Sequence, residues 1–191
     1  DLPSDTATRD RVLLSIMGSP DKRQIDGLGG AHPLTSKVGI VRPSTTAGVD
    51  LDFLFAQLQP DKDTVDTTPN CGNMLAAVLP FALSAGLVQA QSDTTTLRVL
   101  TLNTDMQCDI TVQTPMGPDG QRFVADTGDA RIDGAPGTAA PITIQFLDTA
   151  GSVCSGLLPT GRVKDRVRVE PTEQLSGFEP FDIDVTCIDN G

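Results

Sequence analysis

A single cysteine, Cys71, stands where the polar turn Thr67-Thr68-Pro69-Asn70-Cys71-Gly72-Asn73 meets the apolar run Met74-Leu75-Ala76-Ala77-Val78-Leu79-Pro80-Phe81-Ala82-Leu83. The first N–H groups of a helix lack an intrahelical partner, and the macrodipole places partial positive charge beside them. A thiol at such a junction has its thiolate favoured, which equips a cysteine as acid, base or nucleophile. An anionic substrate group is welcomed at the same place. A cysteine at a helix start is often only a small buried hydrophobe. Here the flank of Asn70, Gly72 and Asn73 argues for chemistry. Gly72 and Asn73 are candidates to hold a carboxylate through their N–H groups, and Asn70 through its side chain.

Other reactive residues carry less. The glycine-rich segment Gly27-Leu28-Gly29-Gly30-Ala31-His32-Pro33 can offer backbone N–H groups to a carboxylate, because glycine permits close approach, but by itself such a loop reads as a plain turn. His32 is the only histidine and reads as a solvated loop residue, with no context for the Cys–His pair of a cysteine hydrolase. Cys108, Cys154 and Cys187 lie in predicted strands or turns and read as packed or idle thiols. Without a C-x-x-C pair or a histidine cluster, no zinc site is expected.

The balance of the 191 residues narrows the function further. A net charge of -11 and the lack of a basic stripe exclude nucleic acid as a partner and disfavour anionic membrane surfaces. An anionic substrate must therefore be drawn locally, by helix ends and a few Lys or Arg side chains, rather than by the global field. No run reaches the roughly 18 apolar residues of a membrane helix. Few cysteines in a chain of this size point to a cytoplasmic protein with free thiols. With no Trp or Tyr and only seven Phe, the core must rest on aliphatic side chains.

The elements that must position Cys71 follow from periodicity. Asp5 to Met17 reads as an amphipathic helix, capped by Ser4 or Asp5 and stopped by Gly18-Ser19-Pro20. Ser36 to Val41 is a strand by its β-branched content. Asp50 to Gln59 alternates Leu51, Phe53 and Phe55 against Asp52, Leu54 and Ala56, and makes an antiparallel partner for it. Met74 to Val88 reads as one buried core helix. Thr95 to Asn103 has apolar residues on both faces and is expected to be buried on both sides. Further strands are expected at 108–114, 121–125, 141–147, 166–169 and 181–187, with turns at 117–120, 133–137 and 149–151. The fold class is α+β, mostly antiparallel strands wrapped around a central buried helix.

Several motifs occur in one order: Arg9-Asp10-Arg11-Val12-Leu13-Leu14, Met17-Gly18-Ser19-Pro20-Asp21, Gln24-Ile25-Asp26-Gly27-Leu28-Gly29-Gly30, Thr35-Ser36-Lys37, Asp52-Phe53-Leu54-Phe55-Ala56-Gln57 and Asn70-Cys71-Gly72-Asn73. Asp129-Ala130-Arg131-Ile132-Asp133-Gly134, Leu158-Pro159-Thr160-Gly161-Arg162 and Cys187-Ile188-Asp189-Asn190-Gly191 continue the series. Together they closely resemble the 2-methylaconitate, 3-methylitaconate and 4-oxalomesaconate isomerases, with wording nearest the 4-oxalomesaconate tautomerases. The resemblance implies a diaminopimelate-epimerase-like fold of two similar lobes. This chain is expected to be the N-terminal lobe over residues 1–191, incomplete at its start, with the second lobe beyond this sequence. One local departure is Asp105, where the family usually has glycine after Asn103-Thr104.

The resemblance also implies cofactor-independent 1,3-allylic proton transfer on small unsaturated di- and tricarboxylic acids. It maps the two proton carriers onto Lys37 and Cys71. An allylic shift needs a base, an acid and N–H-rich or positive groups to hold dienolate charge. Lys37 is assigned as the abstracting base and Cys71 as the acid. Substrate contacts are expected from Thr35, Ser36, Asn70, Gly72 and Asn73, and more weakly from Thr160, Gly161 and Asn190. A homo-oligomer is compatible with this reading. From a different class, a catalytically silent carboxylate-binding or interaction domain of the same fold is the alternative.

Overall fold

A computed structural model of the chain describes residues 2–147, 154, 156–172 and 176–189. The chain divides into two compact units, Asp1–Leu147 and Asp148–Gly191. The first opens with α1 (Thr6–Met17). The Asp5 carboxylate accepts from the Thr8 N–H, and Gly18 ends the helix at φ 82°. A left-handed residue just past the last turn suits glycine, which has no Cβ to clash.

Five strands form the body of the first sheet: β1 (Lys37–Pro43), β2 (Leu51–Leu58), β4 (Thr94–Thr101), β5 (Met106–Gln113) and β6 (Thr143–Phe146), in the order β1-β2-β4-β5-β6. The short β3 (Val65–Asp66) pairs with the far end of β2. The expected β1–β2 antiparallel pair is present, in register Lys37↔Gln57 through Pro43↔Leu51. β2 and β4 run parallel, Leu51↔Val99 to Phe53↔Thr101. A parallel pair needs a crossover, and the segment carrying Cys71 and the apolar run supplies it.

Strand alternation sorts the core. Leu51, Phe53 and Phe55 of β2 join Val99, Cys108, Ile110 and Val112 under the crossover helices. Ala56 and Leu58 face the other way and pack with Leu13 and Met17 of α1. β2 is thus covered on both faces, as its alternation predicts for a strand between two layers. Burying a side chain such as Leu79 or Phe53 completely contributes about 1.5–3 kcal/mol.

Three expectations need correction. The apolar run forms two short helices, α2 (Gly72–Leu75) and α3 (Val78–Ser84), rather than one. Pro80 is the physical reason: it cannot donate to the carbonyl four residues back and fits only in the first turn of a new helix. Leu75, Val78, Leu79 and Ala82 are buried, whereas Phe81 is 52% exposed, so α3 buries one face only. In β4, Thr95, Val99 and Thr101 are buried, while the opposite face carries Arg98 in a two-pronged pair with Asp109 of β5 at 2.8 and 3.0 Å. Only one face of β4 is therefore core. Finally, 121–125 makes a bridge at Met116↔Arg122 but no strand. Pro115 lacks the N–H that a continuous ladder beside it requires.

The second unit holds a two-stranded antiparallel hairpin, β7 (Asp165–Val169) and β8 (Phe181–Val185). No helix among the described residues is long and apolar enough to cross a membrane.

Candidate active site

Lys37 is the first residue of β1, and the loop before it decides where the strand begins. Gln24 is the centre of that loop, 1% exposed and held at φ 47°. Its side-chain oxygen accepts from the Ala31 N–H and the Ser36 hydroxyl, both at 2.9 Å, and its amide donates to Ser19 Oγ at 3.2 Å. A Cβ on Gly29 would lie 2.2 Å from this side chain, so glycine is required there by close approach. The Gln57 amide donates to the Pro33 and Ser36 carbonyls, and the Leu58 N–H donates to Ser36 O at 3.0 Å. These bonds anchor the strand start.

The same packing decides between the two readings of the glycine-rich loop in favour of a plain turn. The N–H groups of Gly27, Leu28, Gly29 and Gly30 donate to Gln24, Ile16, Met17 and Thr35 carbonyls, and Ala31 N–H to Gln24. Five consecutive donors are satisfied inside the protein. The glycine-rich loop serves its own fold and offers none of these groups to a carboxylate. His32 caps the short 3₁₀ turn Pro33–Thr35, its Nδ1 accepting from the Leu34 N–H.

Cys71 arrives from the other side of the sheet connection. Its Sγ lies 3.6 Å from Lys37 Nζ, although the two residues are 34 positions apart. Both side chains are half-buried. The Phe55 ring lies beneath the ammonium, 5.9 Å from Nζ to its centroid. An aromatic face at that distance attracts a cation. Gly39, two residues along β1, lets the α2 turn come close. A Cβ there would sit 3.1 Å from the Phe53 ring and 3.3 Å from Met74 Cε.

Cys71 is the residue just before α2, as expected, but α2 is a single turn. The macrodipole sums over aligned peptides, so one turn supplies little of it. What the turn offers instead is free donors. The N–H groups of Gly72 and Asn73 lie in its first turn without an intrahelical acceptor, on exposed residues.

The remaining sequence candidates fall into four groups. Asn70 and Thr35 are exposed near the pair in sequence; the Asn70 amide donates to Thr104 Oγ1 at 2.6 Å and the Thr35 hydroxyl to His32 O. Ser36 is fully buried, with its hydroxyl on Gln24 and on His32 O at 2.8 Å. Thr160 and Gly161 belong to the second unit, where Thr160 Oγ1 donates to Asp165 at 2.6 Å and Gly161 sits at φ 70° in a turn. Asn190 lies outside the described residues.

Sequence reasoning missed Phe55, Gln24 and Asn103. Phe55 read only as a core residue, and a polar residue in a glycine-rich loop gives no sign of burial. Asn103 carried the better signal, at the end of the expected strand and two residues before Asp105, which takes φ 56°. That left-handed backbone suits glycine and is one that aspartate tolerates.

All four cysteines are free. Burial and the neighbouring Asp109 push the Cys108 thiol up to about 11, which keeps it neutral and unreactive. Among the described residues no group of three or more His, Cys, Asp or Glu side chains is placed to hold a metal ion. The geometry that remains is an amine and a thiol within proton-exchange reach, half open to solvent, beside unsatisfied N–H donors.

Comparison with known proteins adds independent findings. The family model described as PrpF protein matches residues 1–191. The (4E)-oxalomesaconate Delta-isomerase of Novosphingobium sp. (strain KA1) is 50% identical over 191 residues, covering 100% of this chain and 48% of that protein. The 3-methylitaconate isomerase of Eubacterium barkeri is 43% identical over 191 residues, covering 99% of this chain and 46% of its own length. Among solved structures, a methylitaconate-delta-isomerase crystal structure superposes with a TM-score of 0.83 at 43% identity, over 99% of this chain and 45% of that one. The chain thus spans about half the length of the curated relatives it matches.

Proposed function

The chain belongs to the PrpF protein family, and from that premise we propose that it is the N-terminal lobe of a cofactor-independent isomerase that shifts a proton across an allylic system in a small unsaturated di- or tricarboxylic acid. The observation that carries this reading is the 3.6 Å approach of Lys37 Nζ to Cys71 Sγ. Relatives named as isomerases of oxalomesaconate and methylitaconate support the substrate class.

The chemistry follows from the pair. Lys37, as the amine, removes a proton from the saturated carbon beside the conjugated acid, and the electron pair spreads into a dienolate. The Cys71 thiol returns a proton to the carbon two positions away and becomes a thiolate. One turnover leaves an ammonium and a thiolate 3.6 Å apart, so the lysine proton passes directly to the sulfur and both groups reset. Dienolate and carboxylate charge is met by the Gly72 and Asn73 N–H groups and the second N–H of the Asn70 amide, and by the Thr35 hydroxyl once its hydrogen turns from His32 O to the substrate. Ser36 acts through the loop it holds. With a net charge of -11, attraction has to be this local. Four free thiols support a reducing, cytoplasmic setting.

The test is the ultraviolet absorbance change of 4-oxalomesaconate or a methylitaconate with the full-length protein, with Cys71→Ser and with Lys37→Ala. Turnover about a thousandfold slower in both variants is the expected result. Equal rates in wild type and Cys71→Ser would remove Cys71 from the mechanism. Saturable binding without turnover by the wild type would favour the silent carboxylate-binding domain instead.

A further inference from the structure

We infer that Asn103 is the positioning residue that holds Cys71 within proton-exchange distance of Lys37. The inference rests on the reading of those two residues as the reacting pair. β4 stops pairing with β2 at Phe53↔Thr101, with one more bond from the Leu102 N–H to Phe53 O at 2.8 Å. The chain then turns away at 102–105 to enter β5. Beyond that point the next β2 residue on this edge, Phe55, has lost its strand neighbour.

The Asn103 side chain takes that neighbour's place. Its Oδ1 accepts from the Phe55 N–H at 2.8 Å, and its Nδ2 donates to Phe55 O at 2.8 Å. The amide therefore imitates one further residue of a strand. Its second N–H goes to Thr67 O at 2.6 Å, four residues before Cys71. A side-chain amide has two donor hydrogens, and both are used here. The adjoining Asn70–Thr104 bond at 2.6 Å ties the same turn to the residue before Cys71.

One planar group thus references both partners. Phe55 stands opposite Gly39 on the strand that begins with Lys37, and its ring underlies the lysine ammonium. Thr67 begins the turn that ends at the cysteine. Asn103 hydrogen-bonds neither reacting residue; it sets the distance between the segments that bear them. A misplacement of about 1 Å at a reacting pair costs roughly a hundredfold in rate.

Ortho-phthalaldehyde measures that distance without substrate, because it condenses with one amine and one adjacent thiol to a fluorescent isoindole, releasing two waters. The full-length protein is treated, and peptide mapping locates the adduct in wild type, Asn103→Ala and Asn103→Asp. Far-UV circular dichroism reports whether each variant folds. Aspartate keeps the shape and the acceptor for Phe55 N–H but removes both donors. The expected result is a Lys37–Cys71 isoindole in wild type and a yield about tenfold lower in the folded variants. Wild-type yield in a folded Asn103→Asp or Asn103→Ala protein would overturn the inference while leaving the pair intact. No Lys37–Cys71 adduct in wild type would instead sink the pair reading. Loss of the folded state in both variants would also overturn the inference, making Asn103 a residue of the fold alone.

Discussion

The two units of this chain use strands in different ways. In the first, β2 has neighbours on both edges and side chains buried on both faces, and the fully buried Leu51, Phe53, Leu79 and Val99 form its centre. In the second, the β7–β8 hairpin has one charged face, where Arg166 and Arg168 pair with Asp182 and Lys164 with Asp184. Its other face leaves Val167, Phe181 and Ile183 between 39% and 47% exposed. A two-stranded ribbon is marginal by itself in water, whereas a layered sheet holds its strands rigidly. The amine–thiol pair sits on the layered sheet. A distance of 3.6 Å between residues 34 positions apart needs that kind of support.

The sharpest way to break the contrast is through activity. Cys71→Ser and Lys37→Ala are each expected to lower kcat of the full-length enzyme by about a thousandfold, the range of general acid–base groups. Thr160→Ala in the second unit loses the hydrogen bond to Asp165 and is expected to change kcat by less than about tenfold. Comparable kcat losses at Thr160 and Cys71 would dissolve the distinction.

Stability separates the units next. Leu79→Ala should cost about 2–5 kcal/mol in denaturant unfolding, since it opens a cavity at a fully buried site. Val167→Ala, half exposed on the hairpin, should cost under about 1 kcal/mol. A smaller effect follows from Gln24→Ala, which strands the Ala31 N–H and loosens Ser36. A loss of about 1–3 kcal/mol is expected, from two hydrogen bonds worth about 0.5–1.5 kcal/mol each.

The smallest expected effect is one of pH. Hydrogen bonds from Arg98 hold the Asp109 carboxyl below its ordinary value of 3.8. A depressed carboxyl contributes stability that is present above its unfolded value and is lost as pH falls through the folded one. Thermal unfolding of the wild type should therefore weaken as pH drops below about 4, and Asp109→Asn should flatten part of that slope. The pair is partly exposed, so the flattening will be slight. A slope unchanged by Asp109→Asn would show that the pair contributes nothing measurable.

Much of this was legible in the sequence. Asp5 and Gly18 mark the ends of α1 because capping is a local bond and a local backbone preference. The two faces of β2 follow from a period of two, and the motif series pointed to the family that the comparisons identify. The split between α2 and α3 was available too, since Pro80 is as visible in the sequence as the apolar residues around it.

What the chain alone determined is therefore local: caps, alternation, the polar turn at Cys71 and the residues able to move a proton. The tertiary structure decided which of them meet. Ser36 and the glycine loop turn inward because Gln24 occupies the space beneath them. Lys37 meets Cys71 because an antiparallel register, a parallel crossover and a missing side chain at Gly39 coincide. Local pattern reports how each segment can fold, but a contact across 34 residues depends on packing among segments that share no pattern.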